Sequence, residues 1–391
     1  MSRICLIRQS IYPLDLLVRR EAETLRQAGY ETHVICLKRL EDDFQLEEVI
    51  NGVYVHHLPL KRVKTSTSRY VFDYLSFAFL AFMKVTELHL KRRFDVIQIN
   101  NMPDLLVFSA ILPKLLGTKV VSMMYEPTPE LWEDKHKSPP PRLIKMVEQL
   151  SLAFVDQSFT VTQQLKNAYI SRGAKPDKIQ VVLNAPDEKF LEIQAARNSS
   201  LDKGDGFTLI CHGAIEERYG QDTILEAIAL VKPQIPNLRI RILGKGTYVD
   251  KMLEKRKQLC LEDCVDYLGY VPLEQMVKEL LAADVGIVAQ KSSPYSNLVH
   301  TGKMYEYIAL GKPVIASRLK SVEAYFGENA LVYFDPANPQ SLAKGILFLQ
   351  QNPERMKILA RNAQELYGKY RWEKQKEIYL SAYQQILQSI A

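Results

Sequence analysis

Five cysteines in 391 residues, odd in number and scattered, point away from a disulfide framework and toward a reduced, cytoplasmic setting. Cys5, Cys36 and Cys211 sit in apolar, strand-like runs and read as small core residues. Cys260 and Cys264 have no second pair or histidine partner at ligand spacing, which excludes a zinc pattern. Long apolar runs are missing too. The longest, 70–83, contains Asp73 and is too short to span a bilayer. The opening Met1-Ser2-Arg3-Ile4-Cys5-Leu6-Ile7 enters a strand directly, with no apolar region of signal-peptide length. There is no short internal repeat and no low-complexity tract. The net charge of +6 is modest. Its surplus is local, so nucleic acid is not an expected partner.

That surplus has an address. The segment 56–93 carries eight basic residues (Lys61, Arg62, Lys64, Arg69, Lys84, Lys91, Arg92, Arg93) against Asp73 and Glu87, a difference equal to that of the whole chain. Between them lie Tyr70, Phe72, Tyr74, Phe77, Phe79, Leu80 and Phe82. A cationic, aromatic-rich helix of this kind either lies on an anionic bilayer or is a buried helix with solvated ends.

The length suits two domains, and a 47% hydrophobic content supplies two cores. Apolar strand-like runs alternate with amphipathic helical ones, the pattern of parallel sheets covered by helices on both faces. In the first half, strands are expected at 3–7, 32–37, 53–58, 96–99, 119–123, 157–160 and 179–182. Helices are expected at 14–27, 69–90, 103–116 and 141–154, with another opening at Thr162. The polar stretch 197–206 reads as the junction. The pattern then restarts, with strands at 208–211, 238–243, 265–268, 285–289, 313–316 and 330–334. Helices at 353–366 and 372–390 close the chain. The expected class is α/β, two Rossmann-like doubly wound halves.

The stretch from Lys303 to Ala316 reads as a helix, a glycine stop at Gly311 and a buried strand. Lys303 and Glu306 share one helix face. Lys303 sits in the first turn, where the helix dipole disfavours a cation, which suggests an anion outside the helix. The pair is either a seat for a nucleotide sugar or a solvated surface pair with no role. Ligands of open parallel sheets bind beyond the carboxyl ends of the strands. Three loops lie at such ends: Gly213 to Gly220 with Arg218, Gly244-Lys245-Gly246 opening a helix, and Ser296 to Gly302. Singly each is an ordinary turn; together with two cations they point to a nucleotide diphosphate.

At these residues the chain resembles the family-four glycosyltransferases, retaining enzymes of the GT-B fold. The likeness runs over nearly the whole chain. It is strongest in Gly213–Gly220 with Asp222, Leu243-Gly244-x-Gly246, Tyr267-Leu268-Gly269-Tyr270-Val271-Pro272, Ala283-Asp284-Val285-Gly286-Ile287 and Lys303 to Ala316. Asp95-Val96-Ile97, Asn101-Met102-Pro103-Asp104 and Pro127-x-Pro129-Glu130-Leu131 add to it in the first half. The resemblance implies an acceptor-side domain at 1–190 and a nucleotide-sugar domain at 191–369. A last helix, 370–391, would pack back on the first domain, and the two domains would face a central cleft.

By the same likeness Lys303 and Arg218 would hold the diphosphate, and Glu306 would meet the donor ribose as the second carboxylate of the family's Glu-x7-Glu motif. Gly213, Gly244 and Gly246 would pass close to the donor, and Tyr270 and Val271 would lie near the base. Glu126, Asn101 and Tyr125 would form the acceptor side. Glu126 either orients an acceptor hydroxyl and draws off its proton or helps start a helix; Asn101 either faces the acceptor or is a turn residue. The chain departs from the family at Leu298, where the first carboxylate is expected, and at Tyr125, where a histidine is common. Ala214 and Tyr219 replace the usual Arg and Lys of the first phosphate loop, leaving Arg218 as a substitute cation. Arg8-Gln9-Ser10-Ile11-Tyr12-Pro13 replaces a glycine pair.

The expected reaction is metal-independent hexosyl transfer, with retention, from a UDP-, GDP- or ADP-sugar to a hydroxyl of a polysaccharide or lipid-linked glycan. It needs no resident cofactor and no metal, and no Asp-x-Asp motif is present to hold one. The expected location is cytoplasmic, with the 61–93 segment touching the cytoplasmic face of a membrane. Two other functions suit the same fold: an inactive, nucleotide-sugar-binding regulatory protein, or a nucleotide-sugar epimerase or phosphorylase.

Overall fold

The computed structural model describes residues 1–38, 45–60, 67–186 and 206–390, with 67–71 described by backbone alone. The chain divides into two compact units, Met1–Asn184 with Glu373–Ala391, and Ala185–Trp372. The change from one to the other falls at Asn184–Ala185; the polar 197–206 stretch lies outside the described residues except for Gly206.

Among the described residues the first unit holds eight strands: β1 (Arg3–Ile7), β2 (Glu31–Leu37), β3 (Glu47–Ile50), β4 (Val53–Leu58), β5 (Val96–Asn100), β6 (Lys119–Met124), β7 (Gln157–Thr160) and β8 (Ile179–Val181). Their spatial order is β3-β4-β2-β1-β5-β6-β7-β8. All pairs are parallel except β3 with β4. Ile4, Cys5, Leu6 and Ile7 are all buried, as a strand covered on both faces requires.

Strand β3 is not legible as an apolar run, because Glu47 and Glu48 make half of it. Its signal is the Asn51-Gly52 pair that turns it into β4, both residues having positive φ. The helix expected at 103–116 is corrected. A 3-10 turn covers Asp104–Ala110, and an α-helix runs only over Ile111–Leu115. Pro113 has no N–H to donate, so it suits only the first turn of a helix that starts near Ile111.

The second unit holds β9 (Phe207–His212), β10 (Leu238–Leu243), β11 (Val265–Gly269), β12 (Val285–Val288), β13 (Val314–Ser317) and β14 (Val332–Phe334). The order is β11-β10-β9-β12-β13-β14, all parallel. Strand order reverses between β9 and β12, the switch point where doubly wound sheets open a crevice.

Helix boundaries follow their caps. Asp15 accepts from the amides of Leu17 and Val18 at the start of the Leu16–Gln27 helix, and Thr162 accepts from Leu165 at 3.0 Å. The Gly302–Ala309 helix ends at Gly311, whose φ of 69° is left-handed. The Trp372–Gln388 helix reaches the first sheet through two hydroxyls: Tyr379 and Tyr383 donate to Gln98 Oε1 at 2.7 and 2.6 Å.

Candidate donor site at the switch point of the second sheet

Four loops leave the carboxyl ends of β9, β10, β11 and β12 on one edge of the sheet. Gly244 N–H donates to Gly269 O at 2.7 Å, Gly213 N–H to Leu243 O at 3.0 Å, and Lys291 N–H to Arg218 O at 2.8 Å. The Lys291–Asp222 ion pair at 2.7 Å ties the loop after β12 to the first turn of the Gln221–Val231 helix.

The glycines of this edge answer to the backbone. A Cβ on Gly244 would lie 1.7 Å from Gly213 O, and one on Gly246 would lie 2.0 Å from Ile215 O. Both positions are therefore closed to any side chain by the neighbouring loop itself, a reason that close approach of a donor does not supply. The helix expected to open at Gly244–Gly246 begins later, at Val249. Gly213 is different: a Cβ there would meet only Lys303, at ordinary contact distance, and its φ of 109° is what requires glycine.

Lys303 is 7% exposed, in the first turn of the Gly302–Ala309 helix. Its Nζ lies 4.4 Å from the centre of the Tyr219 ring, and the Arg218 guanidinium lies 5.1 Å from the same centre. Two cations thus gather round one aromatic ring. No carboxylate among the described residues lies within ion-pair distance of Lys303. Thr301, at the helix start, makes no side-chain cap, so the first amides of the helix are left to other acceptors. A buried ammonium, a neighbouring guanidinium and uncapped amides together suit an anion such as a diphosphate.

Glu306 is not a free surface carboxylate. Its Oε2 lies 2.5 Å from His212 Nε2, and the side chain is 26% exposed. Burial pushes its carboxyl up, but the charge and hydrogen bond of His212, with Lys303 behind them, outweigh this and hold it below the ordinary carboxylate value. His212 Nδ1 lies 2.9 Å from the Tyr307 hydroxyl. The Tyr270 ring, 71% exposed at the end of β11, has Lys245 Nζ 4.5 Å from its centre. Val271 follows it, partly buried.

Leu298, at the position of the family's first carboxylate, is partly buried in the loop before the helix. His212 and Tyr307 are functional candidates that sequence reasoning passed over. A tyrosine directly after Glu306 was the available signal.

On the first unit, Tyr125 and Asn101 follow the ends of β6 and β5, and both are buried. The Tyr125 hydroxyl donates to Glu21, and Arg8 stacks on its ring at 4.7 Å. Glu21, fully buried, also accepts from Asn100 at 2.7 Å and Gln98 at 2.8 Å. Burial raises its carboxyl against the opposing pull of Arg20 and these donors. Asn101 clamps the loop that follows β6. Its amide donates to Asp104 at 3.1 Å and to Glu126 O at 2.8 Å, and its oxygen accepts from Tyr125 N–H at 2.8 Å. Glu126 is partly buried beside it. Among the described residues, no three His, Cys, Asp or Glu side chains are grouped to hold a metal ion.

Sequence comparison names the class. Residues 192–366 match the family described as glycosyl transferases group 1, and residues 17–185 match the glycosyl transferase 4-like domain. The chain belongs to this family of group 1, family-four-like glycosyltransferases. It is 24% identical over 216 residues to a component of the phosphatidylinositol N-acetylglucosaminyltransferase of Arabidopsis thaliana, covering 54% of this chain and 46% of that one. The chain spans about half the length of the curated relatives it matches. Among solved structures it superposes on a sucrose-phosphate synthase from Thermosynechococcus elongatus with a TM-score of 0.82, 17% identity and full coverage of both chains. It superposes on Anabaena HepE in complex with UDP-glucose with a TM-score of 0.74 and 16% identity, covering 98% of this chain and 100% of that one. The fold is GT-B.

Proposed function

We propose that the protein moves a hexosyl group from a nucleotide-diphosphate sugar to a hydroxyl of a lipid-linked or polysaccharide acceptor, with the anomeric configuration kept and no metal required. One observation carries the reading: Lys303 is buried, unpaired by any described carboxylate, and sits beside Arg218 at an uncapped helix start. Charge on the departing diphosphate would be met there by two cations and backbone amides, usually the largest catalytic term. The resemblance of the loops to family-four enzymes, and the UDP-glucose complex of HepE, support a nucleotide sugar as donor. On the first unit, Glu126 is the group proposed to orient the acceptor hydroxyl and take its proton.

The same reading extends to the acceptor's location. The Thr67–Arg92 helix buries Phe77, Ala81, Val85 and Leu88, yet it also exposes Phe72, Leu75, Phe79, Met83 and Leu90. Their spacing puts them along one outward stripe. Residues 61–66 of the basic segment lie outside the described residues. No helix among the described residues is long and apolar enough to cross a membrane. We propose that this stripe and the basic residues around it rest on the anionic cytoplasmic face of a membrane. Co-sedimentation with vesicles containing phosphatidylserine, lost in a Phe72→Ser/Phe79→Ser variant, is the check. The relative whose name includes phosphatidylinositol is in keeping with a lipid-borne acceptor.

Thermal stabilisation by UDP-, GDP- and ADP-sugars tests the donor site. A panel in which none raises the melting temperature overturns it. Donor binding without turnover on any acceptor would favour the regulatory reading, for which the replacements Leu298 and Tyr125 speak.

A further inference from the structure

We infer that His212 is the positioning residue for Glu306, holding its carboxylate in one orientation so that Oε1 is left to accept from the paired hydroxyls of the nucleotide ribose. The inference rests on the reading of Glu306 as a donor contact.

Gly286 lies in strand β12. A Cβ on Gly286 would lie 2.5 Å from the Tyr307 ring, so this strand glycine makes room for the ring against the sheet. Tyr307 is completely buried there. Its hydroxyl accepts the backbone N–H of His212 at 3.1 Å. The hydroxyl also lies 2.9 Å from His212 Nδ1 and is within donating reach of Ile210 O at 3.4 Å. Glu306 as a carboxylate can only accept, so the imidazole carries a proton on Nε2. That N–H donates to Glu306 Oε2 at 2.5 Å.

Nε2–H thus donates to the carboxylate, and the Tyr307 hydroxyl steadies the ring at Nδ1. The groups facing His212 are Glu306 and Tyr307, with Lys303 and Cys211 nearby.

The arrangement also makes sense of Leu298. A carboxylate without a second one beside it, on a short helix and partly exposed, would otherwise sample several rotamers. Tying one oxygen to His212 removes that freedom and leaves the other in a fixed direction. His212 ends β9 and Glu306 lies on the helix after β12. The tie therefore spans the two strands that flank the switch point.

The test compares nucleotides with and without the ribose hydroxyls. Affinities of UDP, GDP and ADP, and of their 2′,3′-dideoxy forms, are measured by calorimetry on wild type, His212→Leu, His212→Gln and Tyr307→Phe. Donor KM and kcat are measured alongside. Wild type should prefer the ribonucleotide. His212→Leu should lose on the order of tenfold for the ribonucleotide, the size of one charge-assisted hydrogen bond, and nothing for the dideoxy form. The loss should appear in donor KM more than in kcat. His212→Gln, whose amide nitrogen reaches near Nε2, should restore most of the preference, and Tyr307→Phe should weaken it in part. A ribo-to-dideoxy ratio unchanged by His212→Leu, or an equal loss for both nucleotides, would overturn the inference while the donor site stands. Should His212→Leu not fold, the same ratio in His212→Gln and Tyr307→Phe decides. Wild type that binds none of the nucleotides would overturn the donor site and this inference together.

Discussion

Lys303 Nζ lies 4.4 Å from the centre of the Tyr219 ring, and no described carboxylate pairs with it. Tyr219 stands where the family more often has a cation. It places an aromatic face under the lysine while Arg218, next in sequence, supplies the second charge. A cation held against a ring keeps its affinity for an anion, since ring and anion meet different sides of it.

Replacing Lys303 by Met keeps the stem packed and removes the charge. Affinity for the nucleotide diphosphate should fall about 10- to 100-fold, the worth of a charge-assisted hydrogen bond. The melting temperature without nucleotide should stay close to wild type. Calorimetry read beside thermal unfolding separates the two, and unchanged nucleotide affinity would remove Lys303 from the site.

The loop glycines should divide by their surroundings. Gly246→Ala drives a Cβ to 2.0 Å from Ile215 O and should destabilise by more than about 2 kcal/mol. Gly269→Ala meets nothing within 4 Å, and only its φ of 67° opposes the change. About 1 kcal/mol is expected there. Denaturant titration of both variants gives the comparison; equal losses would contradict the packing account.

Acid should weaken the second unit through His300. Its Nδ1–H donates to Ser321 O at 3.1 Å, and Nε2 accepts from Tyr305 at 2.6 Å, so the folded state holds it neutral. Burial pushes it down from 6.5 to about 4. The unfolded chain binds this proton near pH 6.5, and the folded chain does not until about pH 4. Stability is therefore present above pH 6.5 and is lost progressively between these values. Unfolding followed from about pH 7.5 to about pH 4.5 should show the decline, and His300→Asn should flatten it.

Two tyrosines of the last helix share a single acceptor. Tyr383→Phe leaves Gln98 Oε1 with the Tyr379 donor and should cost about 1 kcal/mol. Removing both hydroxyls strands a buried oxygen, so the double variant should lose more than the two single losses added together. Additive losses would mean that Gln98 finds another donor.

Much of the architecture could be read from the chain. Apolar runs such as Ile4–Ile7 and Val314–Ala316 announce strands buried on both faces, because burial on both faces removes the polar alternation. The periodicity around Met304 and Ile308, with Gly311 after it, marks the helix that carries Lys303 and Glu306. These signals are local, held within a few turns of helix or one strand.

What the sequence could not contain was partnership. Glu306 meets His212 across 94 residues, and Gln98 meets Tyr383 across 285. Asn101 turns inward to clamp the loop after β6, and Gly244 and Gly246 are glycine because another loop crosses them. Each of these depends on which strands become neighbours and in what register. That is settled by the packing of whole sheets, to which the spacing of residues along the chain gives no access.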